Sequence, residues 1–245
     1  MSDTPAETKP SFRSDVTVEL VKHAAGDSDV LWAARVSTAG EHSLEELTKD
    51  PERSKGLINF LMRDRHGSPF EHNSMTFFIS APIFVFREFM RHRVGWSYNE
   101  ESGRYRELQP VFYVPGQDRK LVQQGRPGKY EFVAGTEAQQ ALTERALQNS
   151  YVQAYEAYQE MLAAGVAREV ARAALPVGLF SSMYATCNAR SLMHFLGLRT
   201  QHEQAKVPSF PQREIEMVGE RMEEHWAQLM PLTHAAFNMN GRVAP

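Results

Sequence analysis

The chain has 245 residues, a net charge of −3, and ordinary shares of apolar (42%), aromatic (10%) and charged (23%) side chains. This composition excludes a disordered or collagen-like chain, and the length suffices for a core without disulfides. The charge does not indicate a general binder of nucleic-acid polymers or membranes, and no apolar run is long enough for a transmembrane helix. The only cysteine is Cys187, which excludes an internal disulfide and, with the polar N-terminus, predicts a cytoplasmic protein.

The first elements are predicted from alternation and capping signals. We expect residues 1–14 to form a flexible leader, and the alternating residues 16–22 to form a strand. Ser43, followed three residues later by Glu46, is typical of a capping box that opens a short helix.

A longer helix is predicted to begin at Asp50-Pro51, because aspartate is a good N-cap and proline suits the first turn. His66-Gly67 should close it, with the glycine in the left-handed position beyond the last turn. Its buried stripe should contain Ile58, Leu61 and Met62.

The middle of the chain predicts a strand, a helix and a long loop. Residues 74–81 are typical of a strand, and Pro82 should end it and open a helix over 82–93. Residues 94–110 form a polar segment. The glycine- and proline-bearing stretch 115–135 indicates a long loop or lid.

The last part of the chain is predicted to be helical. Thr136 should cap a long helix that ends at Gly165, and a short helix should follow over 167–175. Another should begin near Asn188, and the proline-bearing residues 205–211 should form a loop. A final helix should bury Ile215, Val218, Met222 and Trp226. The whole predicts a mostly helical α+β fold with a small mixed or antiparallel sheet, as one domain over residues 15–245.

The arginine content hints at a recognition site for anions, although the bias alone carries little weight because surface arginine is common. Of the 27 basic residues, 20 are arginine, whose planar fork of donors matches phosphates and carboxylates. The segment 86–107 carries five of them, interleaved with aromatic residues, at Arg87, Arg91, Arg93, Arg104 and Arg106. On a helix over 82–93, Arg87 and Arg91 would stack one turn apart, and an anion between them would relieve their repulsion. The alternative is a solvated charged face paired with Glu88, Glu100 and Glu101.

Two other clusters are less specific. The run from His66 to His72 (HGSPFEH) invites a metal site, but no histidine pair has the spacing of a helical zinc motif. On one regular helix after Asn188, Arg190 and His194 would be neighbours, whereas Arg199 would point to the opposite side. The sequence has no Rossmann glycine fingerprint, no P-loop and no G-x-S-x-G nucleophile elbow.

Four ordered motifs resemble one family. Arg91-His92-Arg93, then eight residues, then Ser102 is similar to the signature of the flavin-dependent thymidylate synthases. Agreement extends to HGSPFEH from His66, to APIFVFREFMRHR from Ala81, to REVARAALP from Arg168 and to NARSLMHFLGLR from Asn188. The resemblance therefore covers about Val16 to His234.

The resemblance implies a function and a set of site residues. The family converts dUMP into dTMP, with 5,10-methylenetetrahydrofolate as carbon donor, FAD as the hydride carrier and NADPH as its reductant. It forms homotetramers whose sites lie where subunits meet. By position, the FAD residues would be Ser68, Arg91, His92, Arg93, Glu100, Asn188, Arg190 and His194. The dUMP residues would be Glu88, Phe89, Met90, Arg91, Glu100, Glu101, Ser102, Gly103, Arg104, Arg172 and Arg199.

The resemblance also assigns one catalytic role. Arg199 holds the position that polarises the uracil ring at N3, and a fixed cation there would stabilise the transition state by about 3 kcal/mol. No protein nucleophile is implied. Glu88 departs from relatives that carry glutamine, and its ionised carboxylate would suit a sugar hydroxyl but not a phosphate.

Two other functions are compatible with the residues taken alone. A nucleic-acid or nucleotide binder without chemistry would use the segment 86–107 for stacking and phosphate contacts. A metal hydrolase would use His66, Glu71, His72 and His92, whereas the flavin interpretation predicts a yellow protein and no metal.

Overall fold

The structure is a computed structural model, described here over residues 9–39, 49–126 and 129–245. It has the α+β fold that the sequence predicted. Its strands are β1 (Ser11–Arg13), β2 (Thr17–Ala24), β3 (Ser74–Pro82), β4 (Trp96–Glu100), β5 (Val111–Tyr113), β6 (Val122–Arg126), β7 (Lys129–Val133) and β8 (Phe180–Cys187). Its α-helices are α1 (Asp27–Ala39), α2 (Pro51–Arg63), α3 (Ile83–Phe89), α4 (Glu137–Ala163), α5 (Arg168–Ala171), α6 (Ala189–Arg199), α7 (Arg213–Leu229) and α8 (Pro231–Met239).

The strands form small sheets. One has four strands in the order β2-β3-β8-β4, β1 pairs with β5 in parallel, and β6 pairs with β7 as an antiparallel hairpin. Short 3-10 helices cover Ser68–Glu71 and Arg172–Ala174. Within the described ranges, no helix is long and apolar enough to cross a membrane.

The chain divides into two compact units. The first unit holds the described residues of Met1–Asp15, Ser80–Arg87 and Glu100–Ser182. The second unit holds those of Val16–Ile79, Glu88–Asn99 and Met183–Pro245.

The first unit has an aromatic core beneath α4. Tyr151, Tyr155 and Tyr158, four and three residues apart, bury one stripe of this helix, and the Phe112 ring stacks on Tyr151 with centroids 4.8 Å apart. The predicted capping box opens α4, because the Thr136 hydroxyl accepts from the Gln139 amide and the Gln139 side chain accepts from the Thr136 amide. Gly165 has the left-handed φ of +82° expected just beyond the helix.

The second unit buries its apolar residues between helices. Ile215, Val218, Met222 and Trp226 recur at helical spacing on α7 and are fully buried, as predicted. On α2, the predicted cap Asp50 accepts from the Arg53 amide at 3.0 Å. The predicted stripe of Ile58, Leu61 and Met62 is also buried. Cys187, at the end of β8, is only 3% exposed.

Some predicted boundaries were wrong. The left-handed residue after α2 is Arg65 (φ 64°), not Gly67, whose φ is −77°. Within the predicted leader, Ser11–Arg13 forms β1, because pairing with β5 satisfies its backbone. The predicted loop 115–135 contains the β6–β7 hairpin. The capping box at Ser43 and Glu46 and residues 1–8 of the leader lie outside the described residues.

Candidate active site

A group of polar side chains in the second unit surrounds Arg199. This arginine is the last residue of α6, and its Nη1 donates to Glu88 Oε2 at 2.5 Å. Its Nε donates to His92 Nε2 at 3.1 Å, so the imidazole accepts at Nε2 and carries its proton at Nδ1. A carboxylate from α3 and a ring from the following turn therefore fix two edges of one guanidinium.

The electrostatics of this cluster keep His92 neutral. Burial is the largest cause that lowers the pKa of His92 to about 4, and repulsion from Arg199 and then from His194 contributes to the same shift. Burial also raises the pKa of Glu88, while the positive charge of Arg199 opposes that rise. At neutral pH the cation of Arg199 thus faces one carboxyl group and one uncharged ring.

The Arg91-His92-Arg93 triplet lies in a turn, so the helix predicted over 82–93 was too long at its C-terminal end. α3 ends at Phe89, and the amides of Arg91 and His92 then bond to the carbonyls of Glu88 and Phe89. The predicted stacking of Arg87 and Arg91 on one helical face therefore does not occur. Among the described residues, the exposed guanidinium of Arg91 has no hydrogen-bond or ion-pair partner, which leaves it available to an anion.

Aromatic rings support this turn. The Phe195 ring lies edge-on to His92 with centroids 4.9 Å apart and stacks on Phe89 at 4.7 Å. The Tyr98 hydroxyl donates to the carbonyls of Phe89 and His92, at 3.1 and 2.8 Å. Burial raises the pKa of Tyr98, so it stays a donor at physiological pH. The hydrogen bonds from Tyr98 thereby fix the backbone around His92.

The same turn contacts the N-terminus of α6. Asn188 caps this helix, its side chain accepting from the Ser191 amide at 2.9 Å. The Ser191 hydroxyl donates to the carbonyl of Val94 at 2.9 Å. Gly95 has φ +69°, and a Cβ there would lie 2.1 Å from Ser191 Oγ, so this close approach requires glycine. The arginine-rich turn thus packs directly against the start of α6.

Arg190 connects α6 to the HGSPFEH motif. Its Nη1 donates to Glu71 Oε1 at 2.5 Å, and its guanidinium lies over Gly67, where a Cβ would meet it at 2.5 Å. Ser68 follows Gly67 and is exposed. Burial and then the charge of Arg190 lower the pKa of His194, which is neutral as a result.

The remaining predicted nucleotide residues lie in the first unit. The Glu101 amide donates to the Ser182 carbonyl at 2.8 Å, and its carboxylate pairs with Arg106 at 3.1 Å. Arg104 pairs with Glu169 at 3.1 Å, and its amide donates to the Ser102 hydroxyl at 3.3 Å.

Gly103 and Glu100 complete this group in the first unit. A Cβ at Gly103 would lie 2.9 Å from Leu108 and 3.2 Å from Arg172, so the turn packs closely on that arginine. Burial raises the pKa of Glu100, a hydrogen bond from Ser181 opposes the rise and the neighbouring Glu101 reinforces it.

The structure thus sorts the predicted residues into two groups. The second unit brings together Ser68, Glu88, Arg91, His92, Arg93, Asn188, Arg190, His194 and Arg199. The first unit brings together Glu100, Glu101, Ser102, Gly103, Arg104 and Arg172. Phe89 is fully buried among aromatic rings, whereas Met90 is exposed.

Some contributors were missed by the sequence reasoning. Glu71 was considered only as a metal ligand, but it pairs with Arg190. The two histidines of the same motif contact aromatic rings: His66 stacks on Phe60, and His72 lies edge-on to Trp32. Gly95 gave one usable signal, a glycine two residues after the triplet. Nothing local to Ser191 indicated its contact with the turn.

The fold closely matches known pyrimidine-nucleotide methylases. Two crystal structures of the UMP/dUMP methylase PolB from Streptomyces cacaoi superpose with high agreement. The one bound with 5-Br dUMP has a TM-score of 0.90, 55% sequence identity, and covers 96% of this chain and 100% of its own. The one bound with 5-Br UMP has a TM-score of 0.89 and 54% identity, over 96% and 99% of the two chains.

The sequence comparisons identify the family. The family model described as "Thymidylate synthase complementing protein" (Thy1) matches residues 19–232. A flavin-dependent thymidylate synthase of Streptomyces avermitilis is 87% identical over the full length of both chains. One from Thermotoga neapolitana is 39% identical over 90% of this chain and 89% of the relative. The chain belongs to the Thy1 family, the flavin-dependent thymidylate synthases, as its motifs indicated.

Proposed function

We propose that this enzyme converts dUMP into dTMP, using 5,10-methylenetetrahydrofolate as carbon donor and NADPH as the source of the hydride. The folate methylene carbon replaces the hydrogen at C5 of uracil, and one hydride reduces it to a methyl group. Tetrahydrofolate and NADP⁺ are the by-products, which balances the carbon and the electrons. The observation that carries the proposal is the Arg199 cluster in a chain whose full-length relatives are named for this activity.

The residues present fit a bound FAD, which would relay the hydride from NADPH. The FAD pyrophosphate is a dianion that needs cationic or N–H donors, and many flavoproteins supply them from a Rossmann fold, whose glycine fingerprint this sequence does not contain. Here the exposed side chains of Arg91 and Arg93 belong to the turn whose Val94 carbonyl bonds to the first turn of α6. Ser68, Asn188, Arg190 and His194 would complete the set in this unit, and the resemblance also assigns Glu100 to FAD.

For Arg199 we propose a role in the transition state. A guanidinium held on two edges keeps its position. Its attraction to the uracil ring is strongest when the ring acquires negative charge at N3. The nucleotide would also be bound by Glu88, Phe89, Met90 and Arg91, and by Glu100, Glu101, Ser102, Gly103, Arg104 and Arg172. Arg199→Ala should lower kcat by about 10²–10³ with a smaller loss of dUMP affinity. A loss confined to dUMP affinity would contradict this role.

We also propose that no protein nucleophile attacks dUMP. Cys187 is buried, and burial raises the pKa of its thiol, which disfavours the reactive thiolate. The Ser102 hydroxyl accepts from the Arg104 amide, and in the part of the chain that the structure describes it forms no hydrogen bond to a general base. Cys187→Ser should therefore retain activity, and quenched turnover should contain no Ser102–nucleotide adduct by mass spectrometry.

The decisive experiment is the absorbance spectrum of the purified protein, followed by turnover. Wild type should show flavin bands and form dTMP only when dUMP, the folate and NADPH are all present. The variant His92→Ala/Arg93→Ala should be colourless yet folded by circular dichroism, because it removes part of the arginine-rich turn. The matched control is Arg221→Met, which removes an arginine from an exposed ion pair with Glu224 on α7. This variant should stay yellow. Full flavin content in the double variant would refute the assignment.

A ribonucleotide substrate is a second candidate, favoured by the match to a UMP/dUMP methylase. The same assay with UMP in place of dUMP separates the two, because only UMP carries a 2′-hydroxyl. The homotetramer with shared sites and the cytoplasmic location stay predictions from the sequence, as does the single catalytic domain over residues 15–245.

A further inference from the structure

The last four residues, Arg242–Pro245, form a segment that we call the tail. Arg242, Ala244 and Pro245 are buried, although none of them belongs to a helix or strand. The tail lies in the second unit, with α6 and the Arg199 cluster. Its side chains and carbonyls bond to residues close to both ends of α6.

Arg242 is the most heavily bonded side chain of the tail. Its side chain is 1% exposed and donates to both oxygens of Glu223, at 2.6 and 2.7 Å. It also donates to Asn238 Oδ1 at 2.7 Å and to Thr200 Oγ1 at 3.0 Å. His234 shares the Glu223 carboxylate at 2.8 Å, so the buried charge is well satisfied.

Thr200 links this network to the proposed catalytic arginine, because it follows Arg199 directly and caps the C-terminus of α6. The Thr200 amide and hydroxyl both donate to the Leu196 carbonyl, at 3.0 and 2.7 Å. The Thr200 carbonyl accepts from the Ser209 hydroxyl at 2.5 Å. With the bond from Arg242, four contacts fix the backbone from which Arg199 extends.

The other end of the tail reaches the flavin residues. Arg190 Nε donates to a Pro245 oxygen at 2.6 Å, in addition to its pair with Glu71. Arg65 Nη1 donates to the carbonyls of Val243 and Ala244, at 2.6 and 3.1 Å. Arg65 lies three residues before Ser68, so the tail also contacts the HGSPFEH segment.

Backbone strain is concentrated at the same contacts. Among the described residues, the non-glycine residues with positive φ are Arg65 (64°) and Arg242 (54°). Non-glycine residues adopt this region at an energetic cost and keep it where surrounding contacts enforce it. Both are arginines whose side chains hold the tail, which indicates that the tail conformation is specified and not incidental.

We propose that the tail is a strap that positions α6, with Arg242 and Thr200 as positioning residues for Arg199. The strap fixes the C-terminus of the helix through Thr200 and holds Arg190, near its N-terminus, through Pro245. This inference rests on the proposed role of Arg199 in the reaction. Misplacing a catalytic group by about 1 Å can cost up to 10²-fold in rate, so a weaker anchor should be measurable.

The test variant is Thr200→Val. Replacing Arg242 would leave the partly buried Glu223 without its cation and endanger folding, whereas valine keeps the shape of threonine and removes only the hydroxyl. We expect kcat to fall about tenfold, the dUMP dissociation constant measured by calorimetry to change less than twofold, and Tm to fall by a few degrees at most. Thr200→Ser, which retains the hydroxyl, should recover most of the rate. Arg221→Met on the exposed face of α7 is the control.

A double-mutant cycle with Arg199→Ala separates positioning from general stability. If Thr200 acts through Arg199, Thr200→Val should lower kcat much less in the Arg199→Ala background than in wild type. Equal factors in both backgrounds, or a wild-type kcat for Thr200→Val, would overturn the strap. If Arg199→Ala itself leaves kcat unchanged, it is the proposed role of Arg199 that fails.

A second variant addresses the tail from its exposed side. Arg65→Met releases the carbonyls of Val243 and Ala244 without touching the buried network. It should lower kcat in the same direction, by about threefold, with dUMP binding retained. If Thr200→Val does not fold, Arg65→Met becomes the test of the strap. An unchanged kcat in Arg65→Met then refutes the proposal.

Discussion

His92 shows how the role of a single residue depends on its surroundings. The triplet Arg91-His92-Arg93 was identifiable from the sequence because its spacing to Ser102 is specific. The hydrogen bond that His92 accepts from Arg199 could not be predicted, because Arg199 lies 107 residues away in the sequence. The burial that keeps His92 neutral depends on the fold in the same way. The pairing of Arg190 with Glu71 was missed for the same reason, at a separation of 119 residues.

The depressed pKa of His92 predicts a pH dependence of stability. The folded value is about 4 and the unfolded value about 6.5, so the unfolded chain binds more protons between these two pH values. The contribution of His92 is therefore complete above pH 6.5 and is lost as the pH falls towards 4. His92→Gln can still accept from Arg199 but does not titrate, so its unfolding free energy should fall less between pH 7 and pH 4.5.

Urea unfolding of both proteins at the two pH values measures the difference. Other titrating groups contribute equally to both proteins, so their effect cancels in the comparison. One such group is Glu223, whose burial would raise its pKa but whose bonds from Arg242 and His234 lower the pKa to about 2. Parallel curves for wild type and variant would contradict a buried neutral imidazole at position 92.

At the level of elements, helices with strong caps were predicted well. Asp50, Thr136 and Asn188 each cap the helix that the sequence assigned to them. The strands β1, β4, β5 and β8 were missed, because the strands with which they pair are distant in the sequence. α3 was predicted too long, because nothing in the apolar run before the triplet announces that the chain turns at Phe89.

The turn after the triplet predicts a strong effect of one methyl group. Gly95→Ala should destabilise the protein by about 1–3 kcal/mol and weaken FAD binding, because φ is +69° and the new Cβ would clash with Ser191 Oγ. Gly56→Ala is the matched control. It lies exposed in α2 with no heavy atom within 4 Å of the new Cβ, so it should stabilise by about 0.5–1 kcal/mol. Equal effects of the two substitutions on unfolding in urea would refute this account.

At the level of the whole molecule, the family could be identified from the sequence because four motifs occur in order across most of the chain. The division into two compact units could not, since each unit is built from three separate stretches of sequence. The way in which subunits assemble also depends on residues that are distant in the sequence. Arg190 and Arg199 sit near opposite ends of α6 with different partners, and the resemblance assigns them to different ligands.

The expected homotetramer with shared sites predicts complementation in trans. A chain inactivated by Arg172→Ala is co-expressed with one inactivated by Arg91→Ala. If a site combines residues of two subunits, some mixed interfaces contain an intact set and dTMP synthesis returns in part. Each variant expressed alone is the control. Mixed oligomers as inactive as either parent would exclude shared sites, whatever the oligomer size found by light scattering.

The burial of Cys187 has a practical consequence for spectroscopy. As the chain's only thiol, shielded in the fold and with a raised pKa, it should react slowly with maleimides while the protein is native. A cysteine introduced at Tyr105, which is 79% exposed, would then be the one fast-reacting site. Fluorophores or spin labels could be attached there without first constructing a cysteine-free background, and motions of the arginine-rich segment could be followed directly as ligands bind.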